Sequence, residues 1–158
     1  MSAEFFKTYV EENMALIMHL CRAYSNDEES LKDLVQEVTL QLWRSHASFK
    51  GKSQLSTWVY RVTLNVCLSN SKKSKRRPNT VPLEHGISRY EADDPEKEQI
   101  AMLYKAIRQL KESDRAIILL YLEDKSYKEM SEILGISVSN VGVKVNRLKD
   151  KLKQMING

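Results

Sequence analysis

Between Ser126 and Leu148 the chain reads SYKEMSEILGISVSNVGVKVNRL, and one residue in it, Gly135, constrains the fold more than any other. Apolar Tyr127, Met130, Ile133 and Leu134 precede the glycine, and Val138, Val141, Val145, Leu148 and Leu152 follow it. Both sets recur at steps of three and four, so two amphipathic helices flank one tight turn. Glycine enters left-handed backbone without a side-chain penalty, which suits it to that turn. Small Ser131 permits the helices to approach, and Val141 anchors the second in a shared core. The pattern predicts a helix-turn-helix. The outer face of its second helix carries Ser139, Asn140, Lys144, Arg147 and Lys151, donors suited to phosphates and base edges in a DNA major groove. Ser137 stands where the N-cap of that helix belongs.

The rest of the chain points to the same class. Only five glycines and three prolines punctuate 158 residues, and alternating β-branched runs are few, so an all-α protein is expected. An apolar share of 42% suffices for one domain or two small ones. The formal net charge of +4 says less than its distribution. Lys72 to Arg77 (KKSKRR) and Lys144 to Lys153 are basic, whereas Asp27 to Glu37 and Glu84 to Glu98 are rich in carboxylates, which implies different partners for the two kinds of surface.

Catalytic signatures are missing from this sequence. His19, His46 and His85 have no ligand spacing, and no glycine-rich phosphate loop or nucleophile-base arrangement occurs, so neither metal nor cofactor is expected. Asp33 and Glu37 lie one helical turn apart, but no histidine or nucleophile accompanies them, and a nuclease using this pair is the weaker reading. Cys21 and Cys67 belong to no CxxC pattern and read as packed, reduced thiols. No stretch approaches the ~18 apolar residues of a membrane span, and the N-terminus has no apolar signal core, so a cytoplasmic protein without membrane insertion is expected.

Periodicity places the remaining helices. Phe6, Tyr9, Val10, Met14, Ile17, Leu20 and Cys21 predict a packing helix from Ala3 to Tyr24, and Ser25 with Glu28 resembles a capping box for the next. That second helix is expected to run to about Ser48. Its buried stripe is Leu31, Leu34, Val35, Val38 and Leu42, which leaves Lys32, Asp33, Gln36, Glu37, Gln41 and Arg44 outside. A basic turn, Phe49 to Ser53, leads to a helix through Leu55, Trp58, Val59, Val62 and Val66, with Arg61, Asn65, Ser69 and Lys72 on its outer surface. Trp58 reads as core as well as stacking platform, and Tyr60 as the exposed ring of the two. Residues 78–95 combine prolines, Gly86 and carboxylates without periodicity, the composition of a flexible linker. Beyond it, Ile100, Leu103, Tyr104, Ile107 and Leu110 mark one helix, and Ser113 or Asp114 caps another carrying Ile117, Ile118, Leu120 and Tyr121. The expected architecture is two small helical domains, residues 1–77 and 96–158, the second containing the helix-turn-helix.

Three segments in this order carry a family resemblance: DLVQEVTLQLW from Asp33, SQLSTWVYRVTLN from Ser53, and LKESDRAIILLYLEDKSYKEMSEILGISVSNV from Leu110. Together they resemble the extracytoplasmic-function sigma factors, small members of the sigma-70 family that carry RNA polymerase to alternative promoters. The resemblance implies that region two docks Asp33, Gln36, Glu37 and Arg44 on core polymerase. It also implies that Lys50, Lys52, Ser53, Trp58, Tyr60, Arg61, Asn65, Lys72, Lys73 and Arg76 engage and help melt the minus-10 element. Melting needs cations on the separated backbones and a pocket or ring for an unstacked base. Region four would read the minus-35 element through Ser137, Ser139, Asn140, Lys144 and Arg147, and an anti-sigma protein would hold the factor in check. The chain departs from the family at Thr39, where a bulky aromatic is common, and after Val141, where lysine, serine and arginine are frequent and this chain has Gly142, Val143 and Lys144. Glycine within a helix costs about 1 kcal/mol relative to alanine, which implies close approach of DNA or a weaker helix. The competing reading is a helix-turn-helix repressor or activator whose N-terminal half dimerises.

Overall fold

The structure, a computed structural model, describes residues 2–49, 54–74 and 95–157, without the side chains of Lys73 and Ser74. Among these residues all regular structure is helical. Helices α1 (Ala3–Glu12) and α2 (Met14–Ala23) replace the single predicted N-terminal helix, because the chain breaks at Asn13, whose side-chain amide donates to the Tyr9 carbonyl at 2.8 Å. Helix α3 (Glu28–Ser45) begins later than the capping-box pattern implied. Asp27 is its N-cap and accepts from the Ser30 amide at 2.6 Å. Ser25 is buried and donates back to the Cys21 carbonyl at 2.7 Å. A short 3-10 turn, His46–Ser48, follows, and α4 (Leu55–Ser74) packs along α2 and α3. Cys21 and Cys67 are both free and buried between α2 and α4, their sulfurs 4.0 Å apart.

In the C-terminal half, α5 (Pro95–Arg108), α6 (Glu112–Leu122), α7 (Tyr127–Leu134) and α8 (Val138–Asn157) form the second helical group. The residue before α6 is Lys111, so the predicted Ser113 or Asp114 cap lies inside the helix instead. The helix-turn-helix is α7 and α8. Ser126 caps α7 by accepting from the Glu129 amide at 3.1 Å, and Gly135 closes it with φ +72°, the left-handed geometry that the turn demanded. Ser137 accepts from the Asn140 amide at 3.1 Å and so caps α8, as predicted.

The two groups meet in one continuous core. Ile17, Leu20, Val59 and Leu64 from the first and Ile107, Ile118, Met130 and Leu148 from the second belong to the same buried cluster. Two arginines stitch the halves at the end of α2. Arg108 donates from Nε and Nη2 to the Arg22 carbonyl, and Arg115 donates from Nη1 to the Ala23 carbonyl at 3.2 Å. Those carbonyls end a helix and lack intrahelical partners, so the second half supplies the C-cap of the first.

Candidate functional site

Three surfaces hold the residues singled out from sequence. The first is the outer face of α3. Leu31, Leu34, Val38 and Leu42 bury its inner stripe, and this fixes Asp33, Gln36, Glu37 and Arg44 outside, all exposed. Asp33, Glu37 and Arg44 lie in one line along the helix, and no ion pair among the described residues engages either carboxylate. Leu40 interrupts this polar line at 46% exposure, on the step between Glu37 and Arg44. Its signal in the sequence is a leucine out of phase with the buried stripe. Thr39, whose hydroxyl donates to the Val35 carbonyl at 2.9 Å, is half-buried at the edge of the face.

The second surface is α4. Arg61, Asn65 and Lys72 are exposed along one side, with Ser69 between the last two. Trp58 is half-buried and rests against Phe49, ring centroids 5.3 Å apart. Tyr60 reverses the expectation. It is 2% exposed rather than the outward ring, because α7 and the turn before it cover it, and the Lys125 ammonium sits 4.8 Å above its ring. Burial first, then the carboxylates of Glu123 and Glu129, pushes its phenol far above the ordinary tyrosine range. Arg61 is likewise engaged by the second half. Its guanidinium donates to the Glu132 carbonyl on α7 through Nη2 and through Nε, the latter at 3.2 Å. Lys50, Lys52, Ser53 and Arg76, the side chain of Lys73, and the linker up to residue 94 lie outside the described residues.

The third surface is α8. Val141, Val145, Leu148 and Leu152 are buried, so its opposite side is set by helical geometry, with Ser137, Ser139, Asn140 and Arg147 exposed and Lys144 half-buried on the flank. Val138, placed in the buried stripe by its spacing, is 48% exposed at the first turn instead. Val143 and Asn146 share the open side, and the sign of it is Val143's spacing of three or four from Ser139, Asn140 and Arg147, with Asn146 three residues further on. Gly142 lies beside the first helix of the motif. A Cβ there would lie 3.4 Å from the Tyr127 ring, so the glycine faces α7. Lys149 Nζ lies 5.1 Å above the Tyr121 ring, away from the open side.

Asp33 and Glu37 stand on a convex, exposed helix face, and among the described residues no group of histidine, cysteine or carboxylate side chains is placed to hold a metal. Nor is any described helix long and apolar enough to cross a membrane.

Comparison with known proteins places two family models on these surfaces in order. Residues 9–77 match Sigma-70 region 2 and residues 100–152 match Sigma-70, region 4. The ECF RNA polymerase sigma-E factor of Haemophilus influenzae is 29% identical over 140 residues, spanning 80% of this chain and 74% of that protein. The RNA polymerase sigma factor SigZ of Bacillus subtilis is 29% identical over 134 residues, with 84% and 76% covered. Among solved structures, the sigma factor RpoE of Bartonella quintana, in complex with the anti-sigma factor NepR, superposes with a TM-score of 0.77 at 20% identity, covering 98% of both chains. CnrH in complex with the cytosolic domain of CnrY gives 0.73 at 18% identity over 99% of this chain and 90% of that one. At these identities the two structures establish a shared fold.

Proposed function

Because the chain belongs to the extracytoplasmic-function branch of the sigma-70 family and directs RNA polymerase to promoters, we propose a division of that work among its three surfaces. The exposed line of Asp33, Gln36, Glu37 and Arg44 docks on core polymerase, with Leu40 as its apolar centre. Arg61, Asn65 and Lys72, together with Lys50, Lys52, Ser53, Lys73 and Arg76, engage and open the minus-10 element, and Trp58 supplies an aromatic surface. Ser139, Asn140, Lys144 and Arg147 read the minus-35 element, with Ser137 holding the start of the helix against a phosphate.

The observation that supports this division is the separation of an exposed carboxylate-bearing face on α3 from an exposed cationic face on α8 within one folded chain. Carboxylates favour a basic or amide-rich protein surface, and lysine with arginine favours phosphate. The repressor reading gives way because region 2, rather than a dimerisation domain, occupies the N-terminal half. A sigma factor is not itself a catalyst, so phosphodiester chemistry remains with the polymerase.

The proposal extends to residues 1–77 and 96–158 as the two functional domains, to a cytoplasmic location, and to control by an anti-sigma protein, the kind of partner with which RpoE was crystallised. Run-off transcription with purified core polymerase tests the whole. Glu37→Ala is expected to weaken core binding while leaving the choice of upstream element unchanged. Lys144→Ala should keep core binding and, if its contact is to phosphate, reduce the logarithmic salt slope of promoter binding by about 1. Equal effects of both substitutions on both readouts would refute the division.

A further inference from the structure

On the open side of α8, opposite the buried line of Val141, Val145 and Leu148, the central residue is apolar. Val143 is 67% exposed, the highest value of any large apolar side chain among the described residues. Helical geometry puts Ser139 one turn before it and Arg147 one turn after it, with Asn140 and Asn146 three residues to either side, and all four are exposed. No Asp or Glu occurs between Ser137 and Lys149, so the surroundings are polar donors and cations.

Neither folding nor solubility accounts for a valine there. A β-branched side chain is a weaker helix former than alanine, lysine or arginine, and this one buries little surface in return. Its neighbour Gly142 faces Tyr127 on α7 instead, so the two residues do not share one surrounding. In a major groove, by contrast, one base-pair component offers an apolar feature. The thymine C5 methyl is recognised by apolar side chains, while the donors on either side take acceptors on neighbouring bases or phosphates.

Resting on the reading of α8 as the minus-35 recognition helix, we infer that Val143 is a specificity-determining residue that contacts a thymine methyl in the upstream promoter element. The occupant of this small apolar spot is therefore DNA, as the cationic surroundings require, and the information read is the presence of a methyl group rather than a hydrogen-bonding edge.

Uracil provides a test, because it keeps the hydrogen-bonding pattern of thymine and lacks only the methyl. Holoenzyme assembled from core polymerase and this chain is used to select its upstream element from promoters randomised in that region. Each thymine of the selected element is then replaced singly by uracil, on either strand, and promoter binding is measured for the wild-type chain and for Val143→Ser. The wild-type holoenzyme is expected to lose about fourfold in affinity at one thymine, the partition factor of roughly one buried methyl group. The Val143→Ser holoenzyme is expected to bind thymine and uracil alike at that position and to relax its selection there. Because Val143 is solvent-exposed, thermal unfolding of the variant should match the wild type. A selected element in which no thymine responds, or in which both chains respond equally, overturns the inference and leaves the recognition-helix reading standing. Selection that yields no upstream element overturns both.

Discussion

At the scale of single residues, Gly135 and Gly142 lie close together in the helix-turn-helix and serve opposite purposes. Gly135 has φ +72°, and a Cβ placed on it would meet nothing within 4 Å, so its role is backbone conformation alone. Gly135→Ala should therefore destabilise the protein by about 1–2 kcal/mol through left-handed strain, measured by urea unfolding. Gly142 has no such conformation, and a Cβ there meets the Tyr127 ring at 3.4 Å, an ordinary contact distance. Gly142→Ala is expected to raise stability by up to about 1 kcal/mol, since alanine is the better helix former and the ring accommodates it. A loss of stability would show that the two helices are packed too tightly for a methyl. The first glycine was legible because a turn between two periodic helices requires it. The second was not, because the ring it faces belongs to another helix, on the far side of that turn.

At the scale of elements, the helices follow their local signals and their ends follow the neighbours. The buried stripes of α3 and α8 lie where the three-four spacing puts them, and the exposed candidates follow as their geometric complement. The boundaries differ because capping depends on which groups find partners. Ser25 turned inward to Cys21 and left the N-cap to Asp27. The end of α2 relies on Arg115, which also donates to the Leu110 carbonyl at 3.0 Å and the Arg108 carbonyl at 2.6 Å, and lies over the Tyr24 ring. One guanidinium thus satisfies carbonyls at the end of α2, the end of α5 and the turn before α6. Arg115→Ala should cost about 2 kcal/mol, the range for partly buried hydrogen bonds to a charged donor, as a lower denaturation midpoint in urea. Nothing in the sequence around Arg115 marked it, since periodicity reports faces and not partners.

At the scale of the whole molecule, the two promoter-facing surfaces are in different states. The open side of α8 is exposed, whereas Arg61 on α4 is bonded to Glu132 and Tyr60 lies beneath Lys125. His19 Nδ1, 2.6 Å from Glu123 Oε1, and the Tyr24 hydroxyl, donating to the Glu112 carbonyl at 2.5 Å, join the same halves. If Arg61 engages the minus-10 element as proposed, it must leave the Glu132 carbonyl, and the halves are expected to part when core polymerase binds. Fluorophores on Ser69→Cys and Lys128→Cys report this, because both positions are exposed while Cys21 and Cys67 are buried. Energy transfer is expected to fall on adding core polymerase, and unchanged transfer would mean that α4 acts while still packed against α7.

Local pattern was enough to specify the all-α class, the helix-turn-helix with its glycine and serine caps, and which side of each amphipathic helix faces water. These depend on interactions within about four residues, and periodicity records them directly. Tertiary packing alone settled that Tyr60 is buried, that Arg61 is held by a carbonyl 71 residues away, and that Gly142 faces Tyr127. Each of those depends on where one part of the chain rests against another, and a local pattern specifies that a face is apolar or cationic without specifying what covers it.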